Sequence, residues 1–366
     1  MSGERVGGAE VQYEYLTQDL DRSKFEPIVV TPAPGEMTDA LTHRGITTAV
    51  IPYAAWRWKA LRAPYSAWFT HRRARQALIA CARYHRASLV HGDFDLGPYL
   101  VAVAEALGIA SVMHVRRSVK RPWLRRYRLR RASALIAIGK RHRDELASFG
   151  VPAERITLIA DATDVVRFDP LRAGRLRRDH PCRSREVFFG MVGRIEPFKH
   201  QLEFLRAAER VLATGRRAAF FVIGAPSSEA PGYARRAVAF PPAHGIEAAV
   251  EFTGPRTDIE HVIASLDVLV TLSGGSVMLE AMACGVPVIS ATDADPGELE
   301  IVRDGEAGLV VRRDDAGALV RAMLRLCDDA ALRRALGARG RHRVESRFDR
   351  SRLARETAEL YESLLT

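Results

Sequence analysis

The stretch Ser273–Ser290, SGGSVMLEAMACGVPVIS, constrains this chain more than any other. Gly274 and Gly275 open it, and a glycine brings its backbone close to a ligand because no side chain intervenes. Val277 to Ala283 is a run of helix formers with Glu280 in its middle. Gly285, with Pro287 just beyond, stops that helix. Val286–Ile289 reads as a short buried strand. With Val268–Thr271 in front, the order is strand, Gly-rich turn, helix, strand. The helix start carries free amides and partial positive charge, which suits an anion. One turn further in, Glu280 suits paired hydroxyls such as those of a ribose. An ordinary α/β crossover with a solvated glutamate has the same pattern, so the turn alone leaves both readings open.

The rest of the chain supplies the context. Short apolar strands are expected at Pro27–Thr31, Thr48–Pro52, Ser88–His91, Ser111–His114, Ala134–Ile138 and Ile156–Ile159. Helical stretches such as Gly97–Leu107 and Lys140–Phe149 lie between them, and an earlier helix follows Gly7-Gly8-Ala9-Glu10 with Tyr13, Leu16 and Leu20 on one face. The alternation restarts at Val187–Val192 and continues through Ala219–Ile223, Val250–Thr253, Val268–Thr271, Val286–Ile289 and Gly308–Val311. This predicts an α/β chain of two Rossmann-like, doubly wound domains with parallel sheets and a ligand cleft at the strands' carboxyl ends. The expected division is 1–168, a charged linker at 169–185, 186–345, and a C-terminal helix at 346–366 packing back toward the N-terminal domain.

A length of 366 residues accommodates two such domains. Lys and Arg number 55 against 44 Asp and Glu, a net charge of +11, which calls for an acidic partner: a phosphate-bearing small molecule, an anionic membrane surface or nucleic acid. No helix-turn-helix, zinc-finger or RNA-binding signature accompanies the charge, so nucleic acid ranks last. Cys81, Cys182, Cys284 and Cys327 are far apart, which argues against a zinc site or a disulfide framework and for a reducing cytoplasm. No apolar run approaches bilayer-spanning length, and the first ten residues are not those of a signal peptide.

Candidate chemistry gathers at loops that follow strands. In FGMVGRIEPFKH, Phe189–His200, a strand runs into Gly193 and Arg194, with Lys199 after a short loop. Arg offers a planar fork to phosphate oxygens and Lys a compact charge. Together they suit a diphosphate and the charge that builds on it as it leaves. With no Asp/Glu cluster at metal-ligand spacing, the cations are expected to act where other enzymes use a divalent ion. Arg256 and Asp258 follow the strand ending at Gly254. The loop Asp293–Glu300 either accepts hydrogen bonds from hydroxyls or caps the next helix.

Taken together, VGRIEPFKH, VEFTGPRTDIEHVIASLDVLV and LEAMACGVPVISATDADPGELEIVRDGEAGLVV resemble the nucleotide-sugar domain of the GT-B glycosyltransferases, specifically retaining family 4. GGAE at Gly7–Glu10, LVHGD at Leu89–Asp93, LGIASVMHVRR at Leu107–Arg117, RASALIAIGKRHRDELASFGVPAERITLI and DVVRF at Asp164–Phe168 are similar to the family's first half and crossover. The resemblance implies a metal-independent transfer of a hexose with retention, from a UDP- or GDP-linked sugar, without a covalent enzyme nucleophile and without a bound cofactor. It implies that Arg194 and Lys199 bind the donor diphosphate, Glu280 the ribose, and the amides of Gly274, Gly275, Ser276 and Val277 a phosphate. Arg256 joins the donor set, Gly7 and Gly8 let the first loop approach the donor, and His114 lies near the transferred sugar. Three departures stand out. The family's first glutamate, eight positions before the second, has no counterpart: Leu272 stands there, in a segment shorter than usual. Asp161 and Ala162 stand where the family has Asn-Gly, and no strand precedes GGAE. A catalytically impaired binding or scaffold subunit of the same fold is therefore the second reading.

Arg116–Arg131, RRSVKRPWLRRYRLRR, mixes dense cations with Trp123, Leu124, Tyr127 and Leu129, and Tyr53–Arg73 carries Trp56, Trp58 and Trp68. Cations with interfacial aromatics suit an anionic headgroup layer, and a solvated basic face with core aromatics has the same composition. The first alternative implies a cytoplasmic protein at the inner face of the plasma membrane, acting on a cell-envelope glycan or a lipid-linked acceptor.

Overall fold

A computed structural model describes residues 7–53, 64–183, 186–293 and 301–366, with side chains of 64–69 outside that description. The chain forms two compact units, Met1–Asp161 with Arg350–Thr366, and Ala162–Asp349.

The first unit runs α1 (Gly8–Asp19), β1 (Ile28–Thr31), α2 (Glu36–His43), β2 (Thr47–Val50), α3 (Pro64–Tyr84), β3 (Leu89–Asp93), α4 (Gly97–Leu107), β4 (Ala110–Val115), α5 (Arg121–Arg126), β5 (Ala134–Ala137), α6 (Lys140–Ser148) and β6 (Ile156–Leu158). Its strands fall into two parallel sheets among the described residues, β1-β2 and β3-β4-β5-β6. The sequence predicts one parallel sheet that lacks a strand before Gly7; among the described residues no strand lies between β1 and β3 to join the two. The continuous apolar run of β5, buried at every position, is what a parallel strand covered on both faces requires. On α1, Tyr13, Leu16 and Leu20 are all buried. The C-terminal helix (Arg350–Leu365) packs on α1, with Arg350 Nε 3.0 Å from Asp19 and Lys24 Nζ 2.8 Å from Glu362.

The second unit contains α7 (Arg175–Asp179), β7 (Val187–Val192), α8 (Gln201–Leu212), β8 (Ala218–Ile223), α9 (Pro231–Ala243), β9 (Val250–Gly254), α10 (Ile259–Ala264), β10 (Val268–Thr271), α11 (Val277–Ala283), β11 (Val288–Thr292), β12 (Gly308–Arg312), α12 (Ala316–Asp328) and α13 (Ala330–Arg347). Its six described strands form one parallel sheet, ordered β12-β11-β10-β7-β8-β9. β8, AAFFVI, is buried along its length, and Phe189 stacks on Phe220 across the β7–β8 pair. The charged segment 169–185, read from sequence as a linker, is instead part of this unit. Leu176 is buried, Ser265 Oγ accepts from the amides of Gly174 and Leu176, and Arg177 pairs with Asp267. A segment this charged folds in because its cations find carboxylates on the unit itself.

Candidate functional site: the switch point of the second sheet

β7 and β10 are neighbours, yet the chain leaves them in opposite directions, toward β8 on one side and β11 on the other. In an open parallel sheet that reversal leaves a crevice beyond the strands' carboxyl ends, where ligands bind. The loop after β7 holds Arg194 and Lys199, and the turn after β10 is Leu272–Ser276.

The loop is fixed from below. Gln201, fully buried, donates from Nε2 to the carbonyl of Arg194 at 2.8 Å and accepts from the Glu196 amide at 3.3 Å. Arg194 reaches outward, its side chain 64% exposed, with Nη2 3.4 Å from Glu196. Lys199 is half-buried, and loss of water pushes its pKa down; Glu196 and Glu280 oppose that shift, and Arg194 adds to it. Both Gly274 and Gly275 have positive φ, +68° and +106°, and Thr271 Oγ1 donates to the Gly274 carbonyl at 3.2 Å. The next residues turn directly into α11, where the Met278 amide donates to the Gly275 carbonyl at 3.2 Å and the Leu279 amide to the Ser276 carbonyl at 2.9 Å. Ser273 Oγ is buried and has no partner among the described residues. Glu280 accepts from Ser276 Oγ at 3.4 Å. Burial pushes its carboxyl up to about 7, against the pull of Arg167, Ser276 and Lys199.

Lys199 therefore feels both Arg194 and Glu280, and the turn Gly274–Ser276 leads into the helix that carries Glu280. Arg256 belongs to a different cluster. Asp258 grips its guanidinium at 2.8 and 2.9 Å and also takes Arg175, and the other charges acting on Arg256 are Asp179 and Glu251. A fork already matched by a carboxylate has lost the geometry that would favour phosphate. Of the loop Asp293–Glu300, only Asp293 is described, paired with Arg313 at 2.6 Å; residues 294–300 lie outside the described residues. Five residues separate β10 from α11, so the short segment noted in the sequence is a tight turn with Leu272 buried at its start.

In the first unit, Gly8 begins α1 and Gly7 is its N-cap, at φ −97°. His114 is the next-to-last residue of β4, 1% exposed, with His91 Nε2 at 3.1 Å and Arg116 Nη2 at 3.3 Å from its Nδ1. Burial, with Arg116 and then His91, holds its pKa well below the usual histidine value. Arg116 in turn donates to Asp93 at 3.2 Å and to Asp161. Sequence reasoning singled out neither His91 nor Tyr361, whose hydroxyl lies 2.5 Å from His91 Nδ1. The substitution of Asp161 in the crossover motif was the one available signal of this network. The aromatics of the basic stretch turn inward: Leu124, Tyr127 and Leu129 are buried, and Trp123 packs on Phe94. Lys120, Arg121 and Arg125 stay exposed. Trp56 and Trp58, and the Trp68 side chain, lie outside the described residues. No described helix is long and apolar enough to cross a membrane.

The model for Glycosyltransferase Family 4 matches residues 6–167, and that for Glycosyl transferases group 1 matches 174–343. A D-inositol 3-phosphate glycosyltransferase of Salinispora tropica is 31% identical over 249 residues, 63% of this chain and 51% of the relative. The chain spans about half the length of the curated relatives it matches. Two solved structures share the fold at 20% identity. One is Anabaena HepE with UDP and glucose, TM-score 0.83, covering 100% of this chain and 98% of that one. The other is sucrose-phosphate synthase of Thermosynechococcus elongatus, TM-score 0.82, covering 99% and 95%. Two family models that between them account for both units, on a fold shared end to end with these structures, show that the chain belongs to the group 1, family 4 glycosyltransferases of GT-B fold.

Proposed function

We propose that this chain is a retaining, metal-independent glycosyltransferase that moves a hexose from a UDP- or GDP-linked sugar to a cell-envelope glycan or lipid-linked acceptor, working in the cytoplasm. The observation that carries the reading is the grouping of Arg194, Lys199 and Glu280 at the switch point of the second sheet. Two cations and a backbone turn match a diphosphate, and a carboxylate that accepts hydrogen bonds matches a ribose. The UDP bound to HepE belongs to the same ligand class. In the reaction the bond from sugar C1 to the diphosphate oxygen breaks and a bond from C1 to the acceptor oxygen forms on the same face. The acceptor's proton passes to the leaving phosphate oxygen. Arg194 and Lys199 neutralise the charge that the diphosphate gains, and His114 donates a hydrogen bond to the sugar. The turn Leu272–Ser276, which lacks the family's first glutamate, favours the second reading, a catalytically impaired binding or scaffold subunit of the same fold.

A thermal-shift screen with nucleoside diphosphates and nucleotide sugars, followed by transfer assays whose acceptors include D-inositol 3-phosphate, separates these readings. The transferase reading expects a UDP- or GDP-dependent rise in Tm and turnover that both vanish in Arg194→Ala/Lys199→Ala. Ligand binding with no turnover supports the binding subunit. Equal behaviour of wild type and the double variant removes the transferase reading and supports the impaired binding or scaffold subunit.

A further inference from the structure

His114 is the end of a chain of hydrogen bonds whose direction can be read. Arg116 is always a donor, so His114 Nδ1, 3.3 Å from its Nη2, must be an acceptor. The proton of neutral His114 therefore sits on Nε2. His91 Nε2 faces the same Nδ1 at 3.1 Å, so it too must donate. That leaves His91 Nδ1 as an acceptor, and the Tyr361 hydroxyl donates to it at 2.5 Å. The order is Tyr361 O–H to His91, His91 N–H to His114, and His114 Nε2–H to a position where no described residue accepts it. A buried N–H without an acceptor costs on the order of 1–3 kcal/mol, and three side chains spend their polar groups aligning this one. Arg116 is itself anchored by Asp93 and Asp161, which fixes the sense of the chain. Tyr13 closes the cluster, its hydroxyl donating to Asp93 at 3.1 Å.

We propose that Tyr361 and His91 are positioning residues: with Arg116 they hold His114 in the tautomer protonated on Nε2, so that this N–H is a fixed donor for a carbohydrate oxygen. The inference rests on the transferase reading for its ligand, and on the geometry of the first unit alone for its tautomer. It makes His114 a hydrogen-bond donor and not a proton donor. The groups facing the histidine pair are Arg116, Asp93, Asp161, Tyr13 and Tyr361, and both rings stay neutral among them: burial and Arg116 depress His91 to about 3 and His114 well below its usual value.

Long-range 1H–15N spectra of the full chain labelled with 15N-histidine test the tautomer without any turnover. At pH 7 and at pH 5.5 the expected pattern is a proton-bearing Nε2 and a bare Nδ1 on both His91 and His114. A proton on His114 Nδ1, or on both nitrogens at pH 5.5, overturns the proposal. Kinetics test the positioning. In Tyr361→Phe, kcat should fall about three- to tenfold with donor KM within about twofold, because the change loosens an orientation and touches no donor contact. His114→Gln, which keeps an N–H near the Nε2 position, should stay within about tenfold of wild type, whereas His114→Ala should lose about a hundredfold. Wild-type kcat in Tyr361→Phe, or equal losses in the Gln and Ala variants, overturns the proposal. Donor hydrolysis measured without acceptor names the oxygen: loss of hydrolysis and transfer together places the bond on the donor sugar, and loss of transfer alone places it on the acceptor. A wild-type chain with no turnover on any donor removes the transferase reading, and the spectra still decide the tautomer.

Discussion

Replacing Glu280 by Gln should make the empty protein more stable and the liganded protein weaker. The carboxyl of Glu280 is pushed by burial from an ordinary 4.5 to about 7. At about 1.36 kcal/mol per pKa unit, ionising it inside the fold costs roughly 3 kcal/mol. Part of the side chain stays open to solvent, so that figure is a ceiling. The sign follows from proton counting. Between pH 4.5 and 7 the folded state holds the proton that the unfolded state has released, so stability falls as pH rises through that window and the full cost stands above it. Gln has the same shape and nothing to ionise. The two proteins should match near pH 4.5 and diverge to roughly 3 kcal/mol by pH 8. For a unit of this size each kcal/mol moves Tm by about 2–4 °C, so the gap should reach roughly 6–12 °C.

Binding should move the other way. Hydroxyls that donate to a carboxylate contribute about 1.5–3 kcal/mol per hydrogen bond to a charged group, which is roughly ten- to 150-fold in Kd. A nucleotide sugar is the right ligand because its diphosphate does not titrate near neutrality. Its affinity for wild type should rise from pH 5.5 to 8 as Glu280 ionises, and its affinity for Glu280→Gln should be weaker and flat. Calorimetric unfolding and titration across that pH range check both halves. Equal Tm at pH 8 refutes the buried carboxylate, and equal affinity refutes its contact with the ribose.

Other outcomes follow from the same geometry. The first unit should weaken in acid: His91, depressed from 6.5 to about 3, is neutral in the fold, so stability is lost as pH falls below 6.5, by up to about 1.4 kcal/mol per pH unit for this ring alone; His91→Phe should flatten that slope in urea unfolding curves taken from pH 7 to 5. Gly275→Ala should destabilise by about 1–3 kcal/mol and weaken nucleotide-sugar binding, because φ of +106° strains any side chain even though the space beside it is open. Binding to anionic vesicles, carried by Lys120, Arg121 and Arg125 without help from buried Tyr127 and Leu129, should be weak and should disappear between low and physiological salt; cosedimentation that survives high salt would contradict this.

The strands were legible because each is a short apolar run between turn signals, and a parallel sheet buries such runs on both faces. Helix α11 was legible to the residue, since Gly275 and Ser276 before it and Gly285 after it are local signals. Arg194, Lys199 and Glu280 stand out in sequence because they sit in ordered motifs that follow strands, and the structure places Lys199 within the electrostatic reach of both Arg194 and Glu280. The failures share a physical cause. The segment 169–185 looks like a linker in composition, but Arg177 pairs with Asp267, His180 Nε2 lies 2.5 Å from Glu251, and Ser265 Oγ accepts from the Gly174 and Leu176 amides, all from elsewhere in the unit. Arg256 looks like a phosphate ligand until its fork is seen closed on Asp258, a pairing that the two-residue spacing allowed but did not require. The aromatics of the basic stretch were ambiguous because composition says nothing about which way a ring points.

The histidine chain shows the same limit more sharply. Tyr361 and His91 are 270 residues apart, and His91 and His114 are 23 apart on adjacent strands. Read singly, a histidine at a strand end predicts a structural residue, and that reading describes His91 well. Its neighbour differs only in having a buried nitrogen left over after every described partner is assigned. Local sequence fixes residue type, but the surplus donor appears only when Arg116, anchored by two carboxylates, decides which nitrogen holds the proton. A function that depends on a tautomer is thus set by the charge pairing around it, so exchanging Asp161 for Asn should disturb His114 more than its distance along the chain suggests.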